Sequence, residues 1–266
     1  MGFSDSFRHR FAPAKTGTSL IERYFSVRKY SEFICEPLVP EDYAVQPMDD
    51  VSPPKWHLAH TTWFFEELVL TRFLSDYRPF HPRYSYLFNS YYEGVGDRVA
   101  KPDRGNLSRP TVSEVLEYRA HVDQNMIKLF GDFPHEAAAL IELGLNHEQQ
   151  HQELLFTDIK YILGHNPLYP VYHVDFIETP EPEIDYDFLE VPEGSYSIGN
   201  KGAKFCYDHE TPHHIVSLES FAIRKNLVTN REYLEFIRDG GYRNYRHWLS
   251  DGWAWATSNG ITAPLY

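Results

Sequence analysis

The residues with the clearest chemical potential are His147 and His151, in the stretch NHEQQHQE that begins at Asn146. If the stretch is helical, histidines four residues apart project from one face, a single turn from each other. Two imidazoles so placed bind one metal ion in other helical His-x-x-x-His sites. Glu153 falls on a different face, so we do not expect it to bind the same ion. The spacing predicts half of a metal site, although in a chain with 14 histidines such a pair can also belong to a polar network.

A third ligand is available in the stretch WHLAH, which contains His57 and His60. These two histidines are three residues apart, so either of them can face the interior of a helical bundle and approach His147 and His151. Three histidines leave open positions on a metal for water or substrate, which is typical of a reactive site rather than a structural one. Neutral imidazoles suit zinc, iron, nickel and copper, so the spacing alone does not select the metal.

Other candidates lie beside this pattern. Gln149 and Gln150 adjoin the histidine pair, where an amide can hydrogen-bond to a bound substrate or simply cover the helix surface. Tyr91 and Tyr92 form a second pair, and phenols near a metal can deliver protons. In a chain with 19 tyrosines, packing contacts explain such a pair equally well.

Composition excludes several classes of function. The formal net charge of −13 argues against a nucleic-acid partner and against an anionic membrane surface. The sequence contains no apolar run long enough for a transmembrane helix and no signal peptide, so no membrane association is expected. Its 2 cysteines are typical of a reducing compartment, which predicts a cytoplasmic location.

The histidines must be positioned by helices. Hydrophobic periodicity predicts four helices in the first 170 residues, with a long ordered loop at 79–110. We expect Ser52 to cap the second helix, Thr111 and Glu114 to form a capping box for the third, and Gly164 to end the fourth. The predicted spans are 17–35, about 52–73, 112–130 and 134–163. This pattern favours a four-helix bundle, in which metal ligands come from facing helices.

The pattern changes near residue 170. An acidic segment with prolines, 171–188, is interpreted as a linker between a first domain at 1–170 and a second at 189–266. The second domain shows short strands in FLEVPEGSYSIG and HHIVSLESFAIRK, a helix at 230–238 capped by Thr229, an aromatic-rich tail, and an apparent strand start at 263–265. The fold class expected is α+β multidomain, with a helical bundle followed by a strand-rich domain.

Several motifs together resemble the ergothioneine-biosynthesis sulfoxide synthases (EgtB). The matching stretches are SPPKWHLAH at 52–60, NSYY at 89–92, HEQQHQE at 147–153 and TDIK at 157–160, with LEVPEG at 189–194 and VTNREY at 228–233 in the second part. The resemblance implies a DinB-like four-helix bundle and then a formylglycine-generating-enzyme or C-type-lectin-like domain. Members of the family are longer than this chain, so the resemblance implies that the second domain is incomplete here.

The resemblance also implies a function. Such enzymes use iron(II) and O₂ to join cysteine or γ-glutamylcysteine to C2 of hercynine, with oxidation of the sulfur to a sulfoxide. By matching position, His60, His147 and His151 would hold Fe²⁺, and Gln150 would contact the histidine-derived substrate. The tyrosine pair resembles the branch that uses free cysteine, in which a tyrosine supplies a proton or a hydrogen bond.

Arg98 and Arg104, in the same loop, are candidates to bind the carboxylate of the thiol substrate. Three other functions remain open at this point. They are an ovothiol-type synthase acting on histidine at C5, a DinB-like metal-dependent thiol transferase, and a non-catalytic metal-binding remnant. The sequence does not indicate an oligomeric state.

Overall fold

The structure is a computed structural model, which describes residues 19–92, 94–174, 187–202 and 204–265. The chain divides into two compact units, the first ending at Thr179 and the second beginning at Pro180. Helices make up the first unit, whereas the second contains strands as well as helices. This arrangement confirms the predicted α+β class.

The first unit is built on four long helices. They are α1 (Leu20–Cys35), α2 (Pro54–Phe65), α4 (Val112–Gly131) and α5 (His135–His165), with a short helix, α3 (Tyr84–Phe88), between α2 and α4. α1 packs against α5, and α2 packs against both α4 and α5. All four predicted helices are therefore present.

α2 is the central helix, because every residue from Pro54 to Phe65 is buried. A helix that is covered on all sides must satisfy its polar groups internally. Lys55 accordingly donates from Nζ to the carbonyl oxygen of Pro110 at 3.0 Å, and Thr62 donates to the carbonyl oxygen of Leu58 at 2.7 Å. After Phe65 the helix continues through a π-helical turn, Glu66–Leu70, and a last α-helical turn, Thr71–Phe73.

The predicted cap of α2 is wrong. The N-cap residue is Pro53, and proline occupies the first turn without loss because the amide there needs no helical partner. The Ser52 hydroxyl instead accepts a hydrogen bond from Nη1 of Arg104 at 2.9 Å, and its backbone N–H donates to Asp158 at 2.9 Å. Ser52 therefore ties the start of α2 to two distant segments.

The glycines of α5 have different surroundings. A Cβ at Gly144 would lie 2.7 Å from ring atoms of both Phe64 and Phe65, so only glycine allows α2 and α5 to approach this closely. Gly164, in contrast, would place a Cβ within 4 Å of no atom among the described residues. Gly164 does not end the helix as predicted, because α5 continues to His165.

A buried ion network, whose members are far apart in the sequence, connects the helices. Glu148 accepts hydrogen bonds from Arg28 and Arg119, both at 3.1 Å. Arg28 also pairs with Asp123 at 2.8 Å, and Arg119 pairs with Glu32 at 3.1 Å. Because these residues come from α1, α4 and α5, the network fixes three helices around one carboxylate.

The predicted loop at 79–110 is partly structured. It contains α3 and a 3₁₀ segment, Lys101–Asn106, and it carries the tyrosine pair. Asn89 holds the loop by donating from Nδ2 to the carbonyl oxygen of Gly96 at 2.8 Å. The capping box of Thr111 and Glu114 then begins α4, as predicted.

In the described residues of the second unit, four short strands form two antiparallel pairs. Phe188–Val191 (β1) pairs with Phe221–Arg224 (β4), and Gly194–Ile198 (β2) pairs with His214–Leu218 (β3). Thr229 caps α6, Asn230–Arg238, through a capping box with Glu232, as predicted.

Two features of this region differ from the sequence predictions. The aromatic-rich tail contains a helix that was not predicted, α7 at Ser250–Ser258, and residues 263–265 do not form a strand. β1 begins at Phe188, where the predicted strand segment FLEVPEGSYSIG also begins. Of the predicted linker 171–188, residues 175–186 lie outside the described residues.

Within the described ranges, no helix combines the length and apolar character needed to cross a bilayer.

Candidate metal centre

Three histidines converge between α2 and α5. His60 comes from α2, while His147 and His151 lie one turn apart on α5. Their candidate ligand atoms all lie within 4.8 Å of one another, and Nε2 of His60 is 3.2 Å from Nε2 of His147. Nitrogens that share an ion at roughly 2.1 Å are separated by roughly 3 to 3.5 Å, so this geometry suits a common metal.

The hydrogen bonds of His60 determine which of its nitrogens is available. Nδ1 of His60 lies 2.6 Å from the carbonyl oxygen of Phe88. Since a carbonyl can only accept, Nδ1 carries the proton and Nε2 presents its lone pair to the other two histidines. The ring is also stacked between two indoles, with centroid distances of 4.5 Å to Trp56 and 5.5 Å to Trp63. His60 is therefore fixed in both tautomer and orientation.

Burial keeps the three imidazoles neutral. It lowers the pKa of His147 to about 4, and it moves the pKa values of His60 and His151 well below their usual range. For His60 and His151 the proximity of the other histidines lowers the pKa further, because two imidazolium ions would repel each other. Neutral imidazole is the form that binds metals, so the donor set is ready for a cation near pH 7.

The donor set thus fits a divalent metal with open coordination positions. Among the described residues, none hydrogen-bonds to the buried Nδ1 of His147. His57, the other candidate for third ligand, lies behind His151: its Nδ1 is 2.8 Å from Nδ1 of His151 and its Nε2 is 2.9 Å from Oδ2 of Asp158. The structure therefore brings together His60, His147 and His151, with His57 in contact with one of them.

The histidines line a cavity of about 390 Å³. Its walls combine aromatic, polar and charged side chains, which suits a small amphipathic ligand. Besides the histidines, the lining residues are Asp50, Ser52, Trp56, Ser90, Tyr91, Tyr92, Lys101, Arg104, Gln150, Leu154 and Asp158. Of these, Asp50 and Lys101 form an ion pair at 3.2 Å and were not identified from the sequence.

The predicted tyrosines and glutamine all reach this cavity. Tyr91 is 75% exposed, whereas Tyr92 is half-buried, with its ring centroid 6.4 Å from that of His147. Gln150 lies on α5 beside the histidine pair and also lines the cavity. A mobile ligand in the cavity would therefore meet both phenols and the amide.

The two predicted arginines occupy different places. Arg98 lies with its guanidinium carbon 5.9 Å from the ring centroid of Tyr91, and it is not among the described residues that line the cavity. Arg104 lines the cavity but is buried in its wall, where its guanidinium stacks on Trp56 at 3.4 Å and donates to Ser90 at 3.1 Å. Burial lowers the pKa of Arg104 to about 10, so it remains positively charged at neutral pH.

Comparisons with known proteins agree with this architecture. Residues 26–155 match the DinB superfamily, and residues 163–264 match the sulfatase-modifying factor enzyme 1-like domain. The chain is 29% identical over 222 residues to a hercynine oxygenase of Mycolicibacterium smegmatis, an alignment that covers 81% of this chain and 49% of that protein.

Two further hercynine oxygenases show the same extent of similarity. The protein of Mycolicibacterium thermoresistibile is 29% identical over 224 residues, and that of Mycobacterium tuberculosis is 28% identical over 221 residues. These alignments cover 81% of this chain in both cases, with 47% and 50% of the respective relatives. The chain thus spans about half the length of the curated relatives it matches. The chain is thus similar to hercynine oxygenases over most of its length, and it joins a segment that matches the DinB superfamily to one that matches the sulfatase-modifying factor enzyme 1-like domain.

Proposed function

We propose that the chain acts as a non-haem iron(II)- and O₂-dependent sulfoxide synthase, which joins cysteine or γ-glutamylcysteine to C2 of hercynine. The observation that carries this proposal is the convergence of His60, His147 and His151 on one cavity, in a chain similar to hercynine oxygenases over most of its length. Bound iron(II) would supply oxygen chemistry and affinity for a thiolate.

The cavity wall suits a substrate with a trimethylammonium group. Such a cation has no hydrogen-bond donors, so aromatic faces are its best partners in proteins. Tyr91 and Tyr92 line the cavity and offer such faces, while the amide of Gln150, which also lines it, would hydrogen-bond to the imidazole of the same molecule. In this arrangement the aromatic residues bind hercynine and Gln150 orients it.

The charged residues of the cavity suit the thiol substrate. Arg104 is held rigidly at the wall and places a positive charge close to the histidines, where it favours a thiolate over a thiol. Lys101, which is ion-paired with Asp50 at the cavity lining, offers an ammonium group that a substrate carboxylate would share with Asp50. The hydroxyl of Tyr91 or Tyr92 holds or donates a proton during the reaction.

Anaerobic loading of the chain with iron(II), followed by hercynine, cysteine and O₂, tests the proposal. We expect O₂ consumption together with a product whose mass equals that of the coupled sulfoxide. His147→Ala should lose both metal and product, whereas His135→Ala, at an exposed position of the same helix, should behave as wild type. Full metal content in both His147→Ala and His151→Ala would contradict the ligand assignment.

The same assay separates the alternative functions. Turnover of histidine but not of hercynine would identify an ovothiol-type synthase. Product formation without O₂ consumption would identify a thiol transferase, and metal binding without any product would identify a non-catalytic metal-binding protein.

A further inference from the structure

Two buried side chains, His57 and Asp158, extend a series of hydrogen bonds behind the proposed ligand His151. Asp158 lies on α5, two turns after His151, and His57 reaches both of them from α2. Oδ2 of Asp158 is 2.9 Å from Nε2 of His57, and Nδ1 of His57 is 2.8 Å from Nδ1 of His151. His57 is 2% exposed and Asp158 is 6% exposed, so water does not compete for these contacts.

The direction of every proton in this series of hydrogen bonds follows from its first member. An ionised carboxylate can only accept, so Nε2 of His57 must donate to Asp158. Nδ1 of His57 is then unprotonated and accepts the proton carried by Nδ1 of His151. This leaves Nε2 of His151 with a lone pair and no proton, which is the state that a metal ligand requires.

The position of Asp158 is itself fixed by the backbone. Its Oδ2 also accepts the N–H of Ser52 at 2.9 Å, at the point where α2 begins. Because Ser52 is the residue before the N-cap of α2, the carboxylate and the helix that carries His57 and His60 share one anchoring point. The contact between Ser52 and Asp158 therefore both joins the start of α2 to α5 and fixes the carboxylate that hydrogen-bonds to His57.

We propose that His57 and Asp158 are positioning residues, which fix the tautomer and ring plane of His151 so that its Nε2 faces the metal. This inference rests on the proposed metal centre. The three proposed ligands differ in the group that contacts Nδ1 of the imidazole ring. A backbone carbonyl accepts from Nδ1 of His60, no described residue hydrogen-bonds to Nδ1 of His147, and a replaceable side chain contacts Nδ1 of His151.

A matched pair of substitutions at His57 tests the proposal. His57→Asn places an amide oxygen near the position of Nδ1 and can still accept from His151, whereas His57→Phe keeps the ring volume and removes the acceptor. The measurement is a titration of the whole chain with Co²⁺ at pH 7.5. Binding is monitored by calorimetry and by the visible absorption of bound Co²⁺. Residues that hydrogen-bond to a metal-binding histidine typically raise metal affinity by about 10- to 100-fold.

We expect His57→Phe to weaken Co²⁺ binding by about 10- to 100-fold and to change the visible spectrum, with His57→Asn close to wild type in both. Equal affinity and spectrum in His57→Phe and wild type would overturn the proposal. Equal weakening in both variants would also overturn it, as the effect would then follow from loss of packing. Abolished binding, as expected for His151→Ala, would mean that His57 is itself a ligand.

A second substitution covers the case in which His57→Phe does not fold. Asp158→Leu removes the acceptor that orients His57, and it should weaken Co²⁺ binding roughly tenfold through the same series of hydrogen bonds. Unchanged binding in Asp158→Leu would refute the inference. Failure of wild type to bind Co²⁺, or unchanged binding in His147→Ala, would instead refute the proposed metal centre, so the two failures are distinguishable.

Discussion

The buried carboxylate of Glu148 offers a prediction whose size can be worked out from its contacts. Burial alone would raise its pKa, but the guanidinium groups of Arg28 and Arg119, with the hydroxyl of Ser31 at 2.7 Å, lower it to about 2. Holding the pKa at about 2 instead of 4.5 corresponds to about 3 kcal/mol of stability at neutral pH, at about 1.4 kcal/mol per pKa unit.

Glu148→Gln preserves the shape of the side chain and removes its charge. The two arginines then lose a buried counter-ion, and breaking a buried ion pair in this way costs about 3–5 kcal/mol. We therefore expect the helical unit to lose at least about 3 kcal/mol. The control is Glu142→Gln, whose partner Arg23 lies at 3.0 Å with both side chains more than one-third exposed, and which should lose less than about 1 kcal/mol.

Hydrogen exchange measured by mass spectrometry on peptides of α4 and α5 reports on this unit alone. In metal-free protein, a loss of about 3 kcal/mol raises the exchange of the most protected amides by at least about 100-fold. Exchange in Glu148→Gln within tenfold of wild type would refute the reasoning, because the network would then contribute little beyond its packing.

The pH dependence of the same difference gives an independent check. Since the native pKa of Glu148 lies below its unfolded value, its stabilisation is complete above about pH 5 and is lost as the pH falls toward 2. In urea titrations, the stability gap between wild type and Glu148→Gln should stay constant from pH 8 to about pH 5 and narrow below that range. A gap that stays constant, or widens, as the pH falls from 5 to 3 would show that the pKa is not depressed.

Three further predictions concern the cavity and the helix contacts. Tyr91→Phe or Tyr92→Phe should lower product formation by about 10²-fold or more with Co²⁺ affinity unchanged, and wild-type rates in both would exclude a proton-donating phenol. Gly144→Ala should destabilise the helical unit by about 1–3 kcal/mol through overpacking, whereas Gly164→Ala should stabilise it by roughly 0.5–1 kcal/mol. Thermal melts in which Gly164→Ala is the less stable variant would contradict the packing described. Co²⁺ at a hundredfold excess over its dissociation constant should stabilise wild type by about 2.7 kcal/mol in the same melts, and equal stabilisation of His151→Ala would place the ion elsewhere.

Local features were predictable from the sequence because their causes lie within a few residues. The capping boxes at Thr111 and Thr229 both form as expected, since each involves only a side chain and an amide three positions away. The same holds for the placement of His147 and His151 on one helical face, which needs only the helical repeat. The helical bundle also followed from periodicity alone.

Features that depend on distant partners could not be predicted in this way. The prediction that Ser52 caps α2 was wrong because its hydroxyl accepts a hydrogen bond from Arg104, which lies 52 residues away in the sequence. Arg104 looked like a free substrate-binding group, but Trp56 and two serines hold it in the cavity wall. The network around Glu148 has no local signature, since its partners lie on other helices.

The different positions of His57 and His60 show most clearly which features are local and which depend on tertiary packing. Both histidines lie on one buried helix, and local spacing allows either of them to face α5. Only the packing of α2 against α5 directs His60 toward His147 and His151. The same packing places His57 in hydrogen-bond contact with Asp158 and His151. The sequence determined by itself that a helix would present two histidines to a common point. The tertiary structure decided which third histidine meets them, because that depends on the rotation of one helix against another, and on the contacts that fix it.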